Sequence, residues 1–410
     1  MNKHIVTKLT HLSFRLLSMY AKFLLIICIG KYLSNEALGE YSLFFSTITF
    51  AIFFLGMDFY VFNTRELINK DKKEQGRLIR DQFIFYIATY AIVFPVLLIV
   101  FPLGIIKLKY LVFFYVILIV EHLSQEVYRL FITLSRQTLA TILLFLRSGA
   151  WVYIIAVLWG VGDSSYKSLN IAYIGWFIGA FISIMIALHF LRKDYGILDI
   201  REKVELQWLK HGAIVSFPFF IGTISYKVVE FSNRYIIDFF MTKSDVGIFS
   251  FYANIANALQ TLVYTLVIMI YYPKLLSCYV TNDREKISLL VKDFTKETII
   301  YSLCCSIVIA LAAYPLFLML DKIEYVQNMP MLWGLLLATF FLNLSFIPHY
   351  QLFAQKKDIL IRNITVCLAA VNIFLNVLGV YFFELYGAIV ATLISYFLMF
   401  ICKQYFVAKK

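Results

Sequence analysis

The stretch AIVSFPFFIGTISYKVVEFSNRYIIDFFM, residues 213–241, decides the fold. It is apolar over more than the ~20 residues that a helix needs to cross a hydrocarbon core of ~30 Å. Near its middle begins a charged series, Lys227, Glu230, Arg234 and Asp238, spaced three, four and four residues apart. At ~100° per residue these side chains fall within about 80° of one helical face. Ionisable groups at such depth cost about 3 kcal/mol each on insertion scales, so they face a bundle interior or a water-filled cavity. The stretch reads as a membrane helix with a charged stripe, and the stripe is the first candidate for a pathway or binding site.

The rest of the chain has the same character. Of 410 residues, 61% are hydrophobic and 15% charged, against about half and a quarter in soluble domains. Apolar runs recur every ~30 residues, which implies helices rather than the weak alternation of a membrane barrel. The fold class is therefore an all-α polytopic membrane protein. Twelve spans are expected, at 12–33, 41–63, 83–106, 110–133, 138–161, 169–191, 212–240, 248–272, 298–320, 331–354, 360–382 and 386–407. No cleavable signal pattern precedes the first run, so that run is expected to stay as a helix. The six cysteines, 28, 278, 304, 305, 367 and 402, form no CxxC pair and read as small membrane-core residues.

Alternate loops differ in basic charge. Segments 65–82, 192–211, 273–297 and 355–362, with the two ends of the chain, hold most of the 37 Lys and Arg, while the loops between them hold few. By the positive-inside rule both termini are cytoplasmic. The halves also resemble each other. LSNEALGEYSLFFS (33–46) matches MTKSDVGIFSFYAN (241–254) through Gly39 and Gly247, and IAYIGWFIGAFIS (171–183) matches FELYGAIVATLIS (383–395) through Gly175 and Gly387. A parallel six-plus-six repeat follows, with lobes 1–200 and 201–410; transporters commonly place substrate at such a repeat interface.

Other spans carry charge as well. The first has Arg15 and Lys22 on one face, with Arg15 near enough to the boundary to snorkel and Lys22 matching Glu230 in the repeat. The fourth carries Glu121, His122, Glu126 and Arg129, in which Arg129 can pair with Glu126. The fifth carries Arg147, with no acid within a helical turn, so its partner must come from another helix or from a ligand. The deep groups are net cationic, which favours anions: Arg offers a planar fork to phosphate oxygens and Lys a point charge. The candidate substrate-binding residues are Arg15, Lys22, Arg147, Lys227 and Arg234. Glu230, Glu126, Glu121 and Asp238 are candidate counter-ions or coupling groups. Pro95, Pro218, Pro315 and Pro348 can kink their helices. Glycan recognition would draw on polar and aromatic groups such as Tyr226, Asn233, Tyr252 and Asn254.

No GxxxxGK[ST] loop, HExxH pair or GxSxG elbow occurs in the sequence. Membrane glycosyltransferases and polymerases would be expected to carry catalytic groups on a substantial external loop, so no enzyme is expected.

Four passages carry a family resemblance: LSNEALGEYSLFFS (33–46), FLGMDFYVFNTREL (54–67), YYPKLLSCYVTNDREKISLLVKDFTKE (271–297) and ELYGAIVATLIS (384–395). Together they resemble the Wzx-type O-antigen and polysaccharide flippases of the multidrug/oligosaccharidyl-lipid/polysaccharide (MOP) exporter superfamily. The resemblance implies a MATE-like, V-shaped, pseudo-two-fold arrangement of twelve helices in two lobes. It also implies alternating-access transfer of an undecaprenyl-diphosphate-linked oligosaccharide from the cytoplasmic to the periplasmic leaflet of the bacterial inner membrane. No cofactor is implied, coupling to H+ or Na+ is open, and the expected partners are the lipid-linked oligosaccharide, membrane lipids, a polysaccharide polymerase and a chain-length regulator, without nucleic acid. The alternatives are a cation-coupled multidrug exporter of the same superfamily, whose site would be acidic and aromatic, and a non-transporting scaffold of the assembly machinery.

Overall fold

The computed structural model describes residues 3–68, 70–197, 202–281 and 283–409, and for side chains all of these except 3–12 and 323. The side chains of His4 and His11 and residues 198–201 of the second basic loop therefore lie outside the described structure. Every regular element among the described residues is helical. Long apolar segments must satisfy their backbone polar groups internally when no water is available, and a helix does this within one segment.

In chain order the helices are α1 (Lys3–Tyr32), α2 (Asn35–Gly56), α3 (Phe59–Leu67), α4 (Lys72–Leu97), α5 (Leu111–Thr133), α6 (Gln137–Phe145) and α7 (Trp151–Val161). They continue as α8 (Leu169–Tyr195), α9 (Leu206–Phe240), α10 (Lys243–Val263), α11 (Met269–Thr281), α12 (Arg284–Met319), α13 (Ile323–Gln327), α14 (Met329–Ala354) and α15 (Asp358–Ala408). Five-residue π-helical segments, Leu146–Ala150 and Tyr264–Ile268, join α6 to α7 and α10 to α11.

Local chemistry sets the boundaries. α2 stops at Gly56 because Met57 and Asp58 take positive φ of 45° and 50°, and the chain restarts in α3. α8 ends on Gly196 at φ 59°, whose N–H bonds to Arg192 O, a left-handed glycine cap. α10 opens with a capping box in which Thr242 and Asp245 satisfy each other's backbone N–H.

Eleven of the described helices are long and apolar enough to cross a membrane. The last provides two spans, because Glu384 (φ 53°, ψ −134°) breaks α15. Its two arms pack back on each other: Asn372 Nδ2 donates to Ser395 Oγ at 2.9 Å, and a Cβ on Gly379 would lie 2.6 Å from Gly387 O. The fold is thus an all-α bundle of twelve spans.

The chain forms two compact units, one made of the residues up to Leu33 with Leu43–Phe220, the other of Ser34–Ser42 with Ile221 onward. In the first unit, Leu67, Leu78, Ile79, Leu130, Phe131 and Leu191 centre an apolar core. Gly179 of α8 lies so close to α7 that an added Cβ would meet the Trp151 ring at 2.6 Å. In the second unit α9, α14 and both arms of α15 share a core around Val229, Leu342, Leu368 and Met399.

One junction of the second unit involves both copies of the matched turn. A Cβ on Gly39 would fall 1.8 Å from Lys243 O, and one on Gly247 would fall 2.0 Å from Asn35 O. Asn35 and Lys243 are themselves matched positions, so the contact is reciprocal, as between copies related by a local two-fold. The Asn35 carboxamide donates to Glu324 and accepts from Tyr325 OH at 2.8 Å and from Lys322 Nζ at 3.4 Å.

Candidate functional site

In the second unit the stripe lies on α9, which runs through Pro218 as one helix of 35 residues. Lys227 Nζ meets Glu230 Oε2 at 2.7 Å, with both side chains about a fifth exposed, at 22% and 21%. The Lys227 ammonium also stands over the rings of Phe231 and Tyr226, at 5.3 and 5.8 Å. Asp238 leaves the deep part of the stripe and pairs with Lys243 at the start of α10, at 3.0 Å. Arg234 is different. It is buried at 3% exposure, donates Nη1 to the Glu230 backbone oxygen at 3.2 Å, and lies 4.8 Å from the Phe231 ring centroid. Among the described residues it enters no ion pair within 4.0 Å; the Glu230 carboxylate, shared with Lys227, acts on it from a distance, and its direct contacts are a carbonyl dipole and an aromatic face.

A second buried cation of this unit escapes the sequence reading. Lys403, on the second arm of α15, is 4% exposed and has no hydrogen bond or ion pair among the described residues. It acts electrostatically on His349 of α14, whose Nδ1 also lacks a hydrogen-bond partner. The signal in the sequence is a single Lys inside the apolar run FLMFICKQYFV (397–407). The glycan candidates fare unequally. Tyr252 is fully buried with its hydroxyl on Tyr325 O at 2.6 Å, Asn254 donates to Ser250 O at 2.7 Å, and Asn233 is 4% exposed. Tyr226 is half-buried and accepts from Gln260 Nε2 at 3.3 Å.

The first unit treats its charges differently. Glu126 of α5 is fully buried; its carboxylate accepts from Arg129 and Tyr86 OH, and from Gln82 Nε2 at 3.2 Å. The Arg129 guanidinium stacks 4.0 Å from the Tyr60 ring centroid. His122, one turn before Glu126, meets Tyr90 OH through Nδ1 at 2.7 Å. Glu121 accepts from Trp176 Nε1 at 2.9 Å and Gln125 Nε2 at 3.2 Å, and supplies the acid that Arg147 lacks on its own helix, at 3.6 Å. Arg147 sits on the π-helical segment Leu146–Ala150, where the wider turn changes the side chain's direction. Its Nε and Nη1 are buried without hydrogen bonds. Arg15 and Lys22 are exposed on α1.

Six of the nine candidate residues fall into three local groups, Lys227, Glu230 and Arg234 on α9, Glu121 with Arg147, and Glu126 with Arg129, while Asp238 pairs with Lys243 and Arg15 and Lys22 stand exposed on α1. No cluster of three or more His, Cys, Asp or Glu able to hold a metal occurs among the described residues, and the six cysteines are free thiols.

Comparison with known proteins places this architecture. The family model described as polysaccharide biosynthesis protein matches residues 9–278. The chain belongs to this family. No curated protein matches the sequence. Among solved structures, the lipid II flippase MurJ in an inward closed conformation has a TM-score of 0.74 at 15% identity, covering 98% of this chain and 87% of that one. An inward-facing multidrug resistance MATE family transporter of the MOP superfamily has a TM-score of 0.66 at 12% identity, covering 98% of each chain. A Vibrio cholerae MATE transporter gives 0.61 at 13% identity, covering 99% of this chain and 96% of that one. The fold of this family member is the one that these three structures share.

Proposed function

We propose that the protein is a flippase that moves an undecaprenyl-diphosphate-linked oligosaccharide, an O-antigen repeat unit, from the cytoplasmic to the periplasmic leaflet of the bacterial inner membrane by alternating access. The observation that carries this reading is Arg234, a guanidinium 3% exposed that enters no ion pair among the described residues. Keeping a charge in such a place is costly unless an anion visits it, and Arg is suited to the oxygens of a diphosphate. Lys227 supplies a second positive group two turns earlier on the same face, partly held by Glu230. In the first unit Arg15, Lys22 and Arg147 are the corresponding cations. Membership of a polysaccharide biosynthesis family and likeness to a lipid II flippase support a lipid-linked sugar as cargo.

The basic loops support a cytoplasmic position for both termini. Residues 1–200 and 201–410 act as the two six-helix lobes, a reading the reciprocal contact of Gly39 and Gly247 supports. Coupling to an H+ or Na+ gradient is assigned to Glu230: its side chain is 21% exposed, whereas Glu126 (1%), Glu121 (11%) and Asp238 (14%) are more enclosed. The polymerase and the chain-length regulator are the partners this activity would serve.

The test is complementation of a host strain lacking the gene. Arg234→Gln or Lys227→Gln, at wild-type membrane abundance, should abolish surface polysaccharide and cause the lipid-linked repeat unit to accumulate. Wild-type display by both variants would overturn the reading. Multidrug transporters share the fold, so a drug-susceptibility assay on the same strains separates the two cargoes, and the cationic excess around Arg234 predicts no change in resistance to cationic drugs.

A further inference from the structure

The second unit also carries a face of a different chemistry, distinct from the stripe. Asn257, Gln260, Thr261 and Tyr264 of the α10 span recur at three- and four-residue intervals and share one side of the helix. Thr261 is exposed and Tyr264 is 37% exposed. The half-buried Asn257 carboxamide makes no hydrogen bond among the described residues. Polar groups along a membrane span face protein or a water-filled space rather than lipid.

The π-helical segment then alters the register. Tyr264 opens Tyr264–Ile268, and the extra residue in that turn brings Tyr272 of α11 back to the side of Tyr264. Both meet the same residue of α14: Tyr264 OH lies 3.4 Å from Tyr350 OH, and the Tyr272 ring centroid lies 4.5 Å from that of Tyr350. An α-helical continuation would turn Tyr272 away by most of a residue's angle. The outcome is a row of three tyrosines bordered by two carboxamides. Aromatic faces offer a flat apolar surface with a polar rim, and carboxamides offer both donors and acceptors. No side chain in the row is charged.

We propose that Asn257, Gln260, Tyr264, Tyr272 and Tyr350 form a recognition surface for a neutral, hydroxyl-rich sugar ring of the substrate. The C–H face of the ring stacks on Tyr264 and Tyr272, and its hydroxyls exchange hydrogen bonds with Asn257, Gln260 and Tyr350. Sites that hydrogen-bond a substrate hydroxyl reject analogues lacking it, so this surface would set sugar preference while the cations hold the diphosphate. The inference rests on the flippase reading above.

The test titrates the purified full chain with two probes, undecaprenyl diphosphate carrying the host's own repeat unit and undecaprenyl diphosphate alone, read by native mass spectrometry. Wild type should prefer the sugar-bearing lipid by about tenfold or more, the scale of one or two aromatic contacts. Tyr264→Ala and Asn257→Ala should each remove that preference while binding the bare lipid as wild type does, which also certifies their folding. Tyr264→Phe, which keeps the ring, should retain part of it. Variants with the full wild-type preference would overturn the sugar surface, as would a wild type that binds both probes equally, and in either case the flippase reading would stand. A wild type that binds neither probe would overturn both.

Discussion

Glu126 in the first unit and Arg234 in the second are both buried on membrane helices, yet they are met in opposite ways. Glu126 receives three donors, Arg129, Tyr86 and Gln82, while Arg234 receives a backbone carbonyl and the face of Phe231. A buried charge with its hydrogen bonds completed is part of the scaffold, because removing one partner strands the others. A buried charge with no hydrogen-bonded acid contributes no such clamp, and in the function proposed above an anionic ligand completes it. The contrast separates the charged residues of this chain into those that hold helices together and those that await a partner.

Breaking the first side of the contrast should give the largest effect on stability. Glu126→Ala leaves Arg129 and Tyr86 without their acceptor, while Gln82 keeps the Tyr86 hydroxyl, and should cost about 3–5 kcal/mol, seen as a fall in melting temperature and membrane abundance. A variant as stable as wild type would remove the distinction between the units. Glu121→Gln tests the intermediate case. The Glu121–Arg147 contact at 3.6 Å is long and Trp176 can still donate to an amide oxygen, so the loss should be about 1–2 kcal/mol in the same melt. Arg234→Gln should leave stability unchanged or raise it, because no ion pair is broken and a buried charge is removed, while transport falls by at least about tenfold.

The smallest effect belongs to the exposed ends of the helices. Lys73 holds the Glu202 carboxyl below its usual range through a hydrogen bond at 3.0 Å. A carboxylate with a depressed folded-state pKa adds stability above its unfolded pKa and loses it as pH falls through the folded one. Melting curves of wild type and Glu202→Gln should therefore differ slightly at neutral pH and converge at acid pH. The pair is solvent-exposed, so a large difference at neutral pH would show that this end of the first unit is less open than its geometry indicates.

Much of this was legible in the sequence because it depends on spacing along one helix. The three- and four-residue intervals from Lys227 to Asp238 put the stripe on one face, and three residues between Glu126 and Arg129 gave their pair. The glycines of the matched turns announced a special position, although only the structure shows them stopping each other's backbones. Contacts between helices were less accessible. Arg147 demanded a partner from elsewhere, but nothing in the chain named Glu121, and no local pattern marks the π-turn that carries Arg147 or the one that realigns Tyr264 with Tyr272. Lys403 lies near the end of its span in the sequence, and only the packing of neighbouring helices shows that it is buried. Tyr252 was drawn to the glycan list by its polar tip, which instead satisfies the Tyr325 carbonyl.

Arg234 is the residue on which the proposed transport depends most directly. Purified wild type and Arg234→Gln, matched in melting temperature, should be reconstituted into liposomes with undecaprenyl diphosphate bearing the host repeat unit, and the appearance of the sugar in the opposite leaflet followed with a lectin or glycosidase. Wild type should move the lipid across the bilayer and the variant should fall at least about tenfold behind, as when a buried charge-assisted contact to the cargo is lost. Equal rates in the two preparations would contradict the assignment of Arg234 to the diphosphate.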